Sequence, residues 1–441
     1  LIISGDLDVN DGTIKLDGNY PVGTNNVALG NTALDDGSLS GNNNTAIGKA
    51  TLTGNTSGGE NTAVGTNALQ TNSTGSSNVG LGTNALAANT TASYSTAVGY
   101  QALHSNTTGA NNVAVGGLSL DANTTGDQNV AVGTSALGAL TAGDKNVAIG
   151  NSTLSQFNVT DGSETFNTAV GYAAGGAVTT GILNTLIGGL AGDALTDADH
   201  NVAIGYQSLT TDTLGSRAVA IGREALGTQN FTSATDNYNI AIGYQAGKAV
   251  TTGTQNTFLG GLAGDATTNT SDNVAIGYFA LSAASGGTNV AVGSQVLANC
   301  TGYDNTAMGQ TAGNALTSGH NNLFLGHDSG RTGSPGGNYT TESDHIVLGD
   351  EDIVEAHIQV DWSVASDQRD KTDFTALDLG LDFVKSLAPV TYKWDKRSKY
   401  GDKYTDGYDL NAQSPDGTHK EDWLDIGFKA QEVQALEEAA G

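Results

Sequence analysis

The feature that most constrains this chain is a five-residue unit, Asn-[Thr/Val]-Ala-[Val/Ile/Leu]-Gly, that recurs with little drift. Asn61–Gly65 and Asn129–Gly133 are examples. The closing glycines fall at 30, 48, 65, 82, 99, 116, 133, 150, 171, 188, 205, 222, 243, 260, 277, 293, 309, 326 and 349. From Gly48 to Gly150 the spacing is 17 every time, and later exceptions are 21 twice, 16 twice and a final 23. One such unit cannot bury its apolar edge, but stacked units can, each using its neighbour's backbone hydrogen bonds. The repeat therefore predicts a parallel β-solenoid. Nineteen coils at the interstrand spacing would make a rod on the order of 90 Å long.

Each position of the unit has a physical reading. Asn opens 16 of the 19 copies, with Ser95, Ala218 and His345 as exceptions, which suits a turn or a side-chain ladder. The residue before the glycine is aliphatic in 18 copies and Met308 in the other. That residue and the one two before it share one strand face, because strand side chains alternate. Between them stands Ala in 14 of 19 copies, replaced by Gly80, Leu186, Phe258, Phe324 and Val347. A column of alanine lets something approach closely from the other side. The glycine suits a corner that a Cβ would obstruct. A longer period overlies the first. G-Y-A-A-G-G-A-V-T-T-G from Gly171 recurs as G-Y-Q-A-G-K-A-V-T-T-G from Gly243, as gene duplication would leave it.

Composition changes near residue 350. Residues 351–441 hold 10 of the 17 Lys+Arg, 20 of the 45 Asp+Glu and all three tryptophans. No proline occurs between Pro21 and Pro335. The division this suggests is a connecting segment at 1–20, coils at 21–350, a β linker at 351–365 and a small α+β domain at 366–441. A net charge of -28 argues against nucleic acid or an anionic membrane surface as partner. The single cysteine, Cys300, excludes a disulfide framework and a Cys-based zinc site. No apolar run is long enough for a membrane helix. No cofactor and no metal are expected. Because the chain opens on Leu1, it reads as part of a longer product.

The N-T-A-V-G and N-V-A-I-G coils resemble the head repeats of YadA-like trimeric adhesins over about residues 20–350. That resemblance implies a left-handed parallel β-roll, three chains around one axis, and the small-residue face turned toward partner chains. The 17-residue spacing is longer than the usual head repeat.

The tail carries three ordered motifs: S-D-Q-R-D-K-T-D-F from Ser366, L-A-P-V-T-Y-K-W from Leu387, and G-F-K-A-Q-E-V from Gly427. Together they resemble the endosialidase-type intramolecular chaperone, a self-cleaving domain at the C-terminus of phage tail fibres and tailspikes. The resemblance implies that Ser366 is the nucleophile, that Lys371 is the general base, and that the scissile bond is Ala365–Ser366. A serine hydroxyl needs such a base before it becomes a competent nucleophile. Asp370 and Asp373 depart from the family pattern, and carboxylates beside Lys371 favour its protonated form, which would slow cleavage. The plainer reading is that Ser366 caps a helix with Asp367 in its first turn. Asp395–Ile426 reads as an arm reaching back along the fibre or as a surface loop. Val433, Leu436 and Ala440 lie at helical spacing.

The leading expectation is a trimeric viral tail fibre: a rigid rod in the extracellular virion that meets a host glycan or protein receptor. Its other partners would be virion tail proteins bound through the upstream segment. At most it would be a single-turnover autoprotease. Two coils insert four residues, giving loops at 156–166 and 229–238. Their aromatics Phe157, Phe166, Phe231 and Tyr238 are candidates for sugar stacking, the alternative being that they pack down over the coil edge. Tyr100, Tyr172, Tyr206, Tyr244 and Tyr278, each just after a closing glycine, read as a packing ladder. Other readings are a bacterial cell-surface adhesin and a glycan-cleaving tailspike. The latter needs paired carboxylates in a groove, and no coil repeats a convincing pair.

Overall fold

The structure, a computed structural model, describes residues 24–356, 381–395, 400, 412–420, 422 and 424–440. The chain divides into two compact units, Leu1–Asp350 and Glu351–Gly441.

The first unit is the expected parallel β-solenoid. Nineteen three-residue strands, from Val27–Leu29 to Ile346–Leu348, form one sheet in which each strand pairs in parallel with the next. They enclose eighteen circuits. The pairing never slips, so like residues stack: Ala46 on Ala63, Ala63 on Gly80, Gly80 on Ala97. Glycine is required at the corner for two reasons. From Gly30 to Gly326 the closing glycines take φ between +113° and +142°. A Cβ on Gly65 would also lie 2.5 Å from the carbonyl oxygen of Gly82, the corner of the next coil.

The alanine column points into the coil, which corrects the expectation that it faces partner chains. Ala63, Ala97, Ala114 and Ala131 have no exposed surface in a single chain. Opposite them stand buried leucines such as Leu52, Leu69, Leu86 and Leu103. These lie four residues after each corner, in the left-handed region (Leu69 φ +49°). The interior of so short a circuit is narrow, so a leucine on one wall leaves room only for a methyl group on the other. The departures prove the rule. Where the central residue is large, the leucine is replaced by glycine on the two adjoining coils. Leu186 lies against Gly175 and Gly192, Phe258 against Gly247 and Gly264, and Phe324 against Gly313 and Gly330. A Cβ on Gly264 would stand 2.4 Å from the Phe258 ring. Total volume is thereby kept near native packing density.

The opening asparagines form the expected ladder inside this core. Asn44 Oδ1 accepts from the Asn61 backbone N–H at 3.0 Å, and Asn61 Oδ1 does the same for Asn78 at 3.0 Å. Asn61 Nδ2 donates to the Gly75 carbonyl at 2.9 Å. Each buried amide of this opening ladder is satisfied, without which its burial would be destabilising. Where Ala218 breaks the series, Asn237 supplies the missing acceptor to Asn239 N–H at 2.9 Å.

In the second unit a helix, α1 (Leu381–Ser386), precedes strand Val390–Tyr392. That strand pairs antiparallel with Asp425–Gly427, and a second helix, α2 (Ala430–Ala440), follows. Val433 and Leu436 are half-buried on α2, as their spacing predicted.

Candidate functional site

With alanine turned inward, the two flanking columns of each strand face out. The column before the glycine is Leu29, Ile47, Val64, Leu81 and so on, aliphatic except for Met308, and the other column is Val, Ile, Leu or Thr. None of these positions is charged. Leu81, Ile149, Ile187, Leu259 and Leu348 are all exposed. Two such columns, about 7 Å apart along the strand and running the length of the sheet, make an apolar stripe. At about 7 Å by about 90 Å its footprint is roughly 600 Å², the upper end of what a monomer leaves in water, with threonine in the second column of seven of the nineteen strands. Strand alternation was legible in the sequence, but which face lay inside was not.

The four loop aromatics separate into two pairs. Phe157 is fully buried: it lies seven residues past Gly150, in the same interior column as Leu140 and Val178. Phe231 is also buried, its ring resting 2.8 Å from where Gly215 would carry a Cβ. Both side chains are packed into the coil and not displayed on its surface. Phe166 and Tyr238 are exposed at 46% and 53%. Each has a cation over its ring, Lys145 Nζ at 5.3 Å from Phe166 and Arg217 Cζ at 6.0 Å from Tyr238. Lys145 is ion-paired with Glu164 and Arg217 with Asp236, the latter at 3.0 Å. The two trios are 72 residues apart, the spacing of the longer repeat.

The five tyrosines after closing glycines are exposed and do not pack as a ladder of touching rings. Near Tyr244, Glu224 binds Lys248 at 2.6 Å, Gln245 at 2.8 Å and Arg223 at 2.8 Å. These contacts hold its carboxyl down to about 2. Cys300 is buried, which pushes its thiol up to about 11 and leaves it a poor nucleophile. Among the described residues no group of three or more His, Cys, Asp or Glu could hold a metal ion, and no helix is long and apolar enough to cross a membrane.

In the tail, the second and third motifs are brought together. Val390 pairs with Gly427, Thr391 with Ile426 and Tyr392 with Asp425. Tyr392 meets Trp394 edge to face at 5.4 Å. Ala365, Ser366 and Lys371 lie outside the described residues, as does most of 395–426. Residues 366–441 match the family described as the chaperone of endosialidase. The match covers under a fifth of the chain and describes its C-terminal region, not the coils. It begins on Ser366. Comparison with curated proteins found no match, and none was found among solved structures.

Proposed function

We propose that the chain is a homotrimeric, tail-fibre-type protein of a virion, in which the solenoid forms a rigid rod for host-surface recognition. The C-terminal region would assist trimer formation and then release itself by cleavage at Ala365–Ser366. One observation carries the trimer: an uncharged, largely aliphatic stripe runs along all nineteen strands and is half-buried to exposed in a single chain. Self-association around an axis parallel to the rod removes that stripe from water and needs no other partner. The chaperone-of-endosialidase match supports the same reading, since a stripe of this kind is an aggregation hazard until its copies are aligned. Self-cleavage would have the Ser366 hydroxyl attack the Ala365 carbonyl while Lys371 takes its proton; the Ala365–Ser366 C–N bond would break as the Ser366 nitrogen takes that proton and leaves as an amine, and water would then hydrolyse the ester. The start of the family match on Ser366 supports this boundary.

Sedimentation velocity and intact mass of the full chain test both parts together. The parent is expected to sediment as a trimer. Replacing three stacked stripe residues, Val115→Glu, Val132→Glu and Ile149→Glu, should give a monomer with unchanged circular dichroism. A monomeric parent would remove the trimer. A parent mass equal to that of Ser366→Ala would remove the cleavage while leaving the trimer standing.

A further inference from the structure

We propose that Tyr172, Tyr206, Tyr244 and Tyr278 form a binding track for an extended, neutral polysaccharide lying along the rod. The track deepens the host-surface reading by naming a ligand class and its contacts, and it rests on that reading only for where the glycan comes from.

Seven successive coils carry, just after the closing glycine, Tyr172, Gly189, Tyr206, Arg223, Tyr244, Gly261 and Tyr278. Because the strands stack in register, these positions form one column, and a ring recurs every second coil, roughly 10 Å apart. The intervening residues make room for the rings. A Cβ on Gly189 would lie 3.7 Å from Tyr206 Cδ2, and one on Gly261 would lie 3.8 Å from Tyr278 Cδ2. Each of these rings therefore leans back over the glycine of the preceding coil. Arg223 supports Tyr244 in the same way, with Cζ 5.9 Å from its ring. Three of the four rings are placed by a neighbour, and all four remain 49–65% exposed. Packing alone does not account for large rings held in water at a fixed interval.

The chemistry that suits this column is a polymer with a repeat of about the same length. A flat ring with a hydroxyl at its rim complements the C–H face of a pyranose, and an extended glycan presents such faces at regular intervals. Two pyranose units of an extended chain span about the distance between adjacent rings. Charge selects the class. The chain carries -28, which repels acidic polymers, and the cations beside the column, Arg223 and Lys248, are both paired with Glu224.

Affinity electrophoresis of the full chain tests the track, with three neutral extended probes in separate gels: glucomannan, xyloglucan and mixed-linkage β-glucan. Hyaluronan serves as an anionic extended probe and dextran as a neutral coiled one. At least one neutral extended probe should retard the parent, and the other two polymers should not. The quadruple change Tyr172→Ala, Tyr206→Ala, Tyr244→Ala and Tyr278→Ala should weaken retardation about tenfold or more, with sedimentation unchanged. Removing exposed tyrosines elsewhere, Tyr94→Ala with Tyr303→Ala, should leave it intact. The proposal is overturned if none of the three neutral probes retards the parent or if the quadruple variant binds like the parent. It is equally overturned if the quadruple variant loses the trimer, which would make the rings inter-subunit packing. A monomeric parent that binds through these rings would sustain the track and remove only the trimer.

Discussion

Seven residues past most closing glycines the chain turns a buried corner, and two runs of successive coils fill it differently. From Asn55 through Asn72, Asn89 and Asn106 to Asn123 the corner is an amide. Each Nδ2 from Asn72 onward donates to the Oδ1 one coil before, at 2.7–3.0 Å. From Leu140 through Phe157 and Val178 to Leu195 the same corner is apolar. All of these side chains have no exposed surface. At the junction one buried atom, Asn123 Oδ1, is left without a partner, because Leu140 has nothing to donate. A buried amide column is thus a property of a run of coils, whereas an apolar corner is a property of one coil at a time.

The largest expected effect comes from emptying an apolar corner. Phe157→Ala should destabilise the solenoid by about 3–5 kcal/mol, because the cavity is walled by two neighbouring coils that cannot collapse independently. Denaturant unfolding followed by circular dichroism measures it. A loss under about 1 kcal/mol would show that Phe157 is peripheral and would reopen its loop as a recognition element.

Interrupting the amide run should cost less. Asn89→Leu removes the donor to Asn72 Oδ1, leaving that oxygen as Asn123 Oδ1 is left naturally. Its neighbours keep other partners: Asn106 Nδ2 still reaches Gly109 O at 2.9 Å, and Ala92 O still accepts from Asn78 at 2.8 Å. The expected loss is about 1–3 kcal/mol, that of one orphaned buried acceptor. The same unfolding measurement decides it, and no loss would mean that the run is not cooperative.

The repeat is plain in the sequence because a solenoid repeats its chemistry with its geometry. The corner glycines, the asparagine ladder and the strands can all be read one coil at a time. The direction of the alanine column cannot, since alternation defines two faces without saying which is inside. The signal that settles it lies in pairs of departures. Leu186, Phe258 and Phe324 enlarge one wall just where Gly175 and Gly192, Gly247 and Gly264, and Gly313 and Gly330 shrink the other. Only residues sharing a cavity compensate in this way. Phe157 is hard to place for a related reason: counted from Gly150 it occupies the corner column, but as part of a lengthened coil it looks like a loop tip. In the tail, motif order alone points to Ser366, and the family match begins on that residue. The pairing of Val390–Tyr392 with Asp425–Gly427 needed the structure, because about 30 residues separate the partners along the chain.

The smallest expected effect is the most discriminating, because a loss and a partial gain oppose each other at the junction. Leu140→Asn forfeits the burial of a leucine, about 2–3 kcal/mol. In return the new amide can donate to Asn123 Oδ1 and to Gly143 O, which stands where Gly58, Gly75 and Gly126 accept from their own corner asparagines, although its own Oδ1 then becomes the orphan because Phe157 on the next coil has nothing to donate. The two new donor bonds offset only part of the loss, so the variant should unfold about 1–2 kcal/mol below the parent. The same substitution far from an amide neighbour, Leu195→Asn, has no acceptor waiting below it, since Val178 fills the preceding corner. It should therefore lose the full burial and be clearly less stable than Leu140→Asn. Equal losses at the two sites would mean that the corner is decided by side-chain volume alone and that stacking of amides from coil to coil adds nothing.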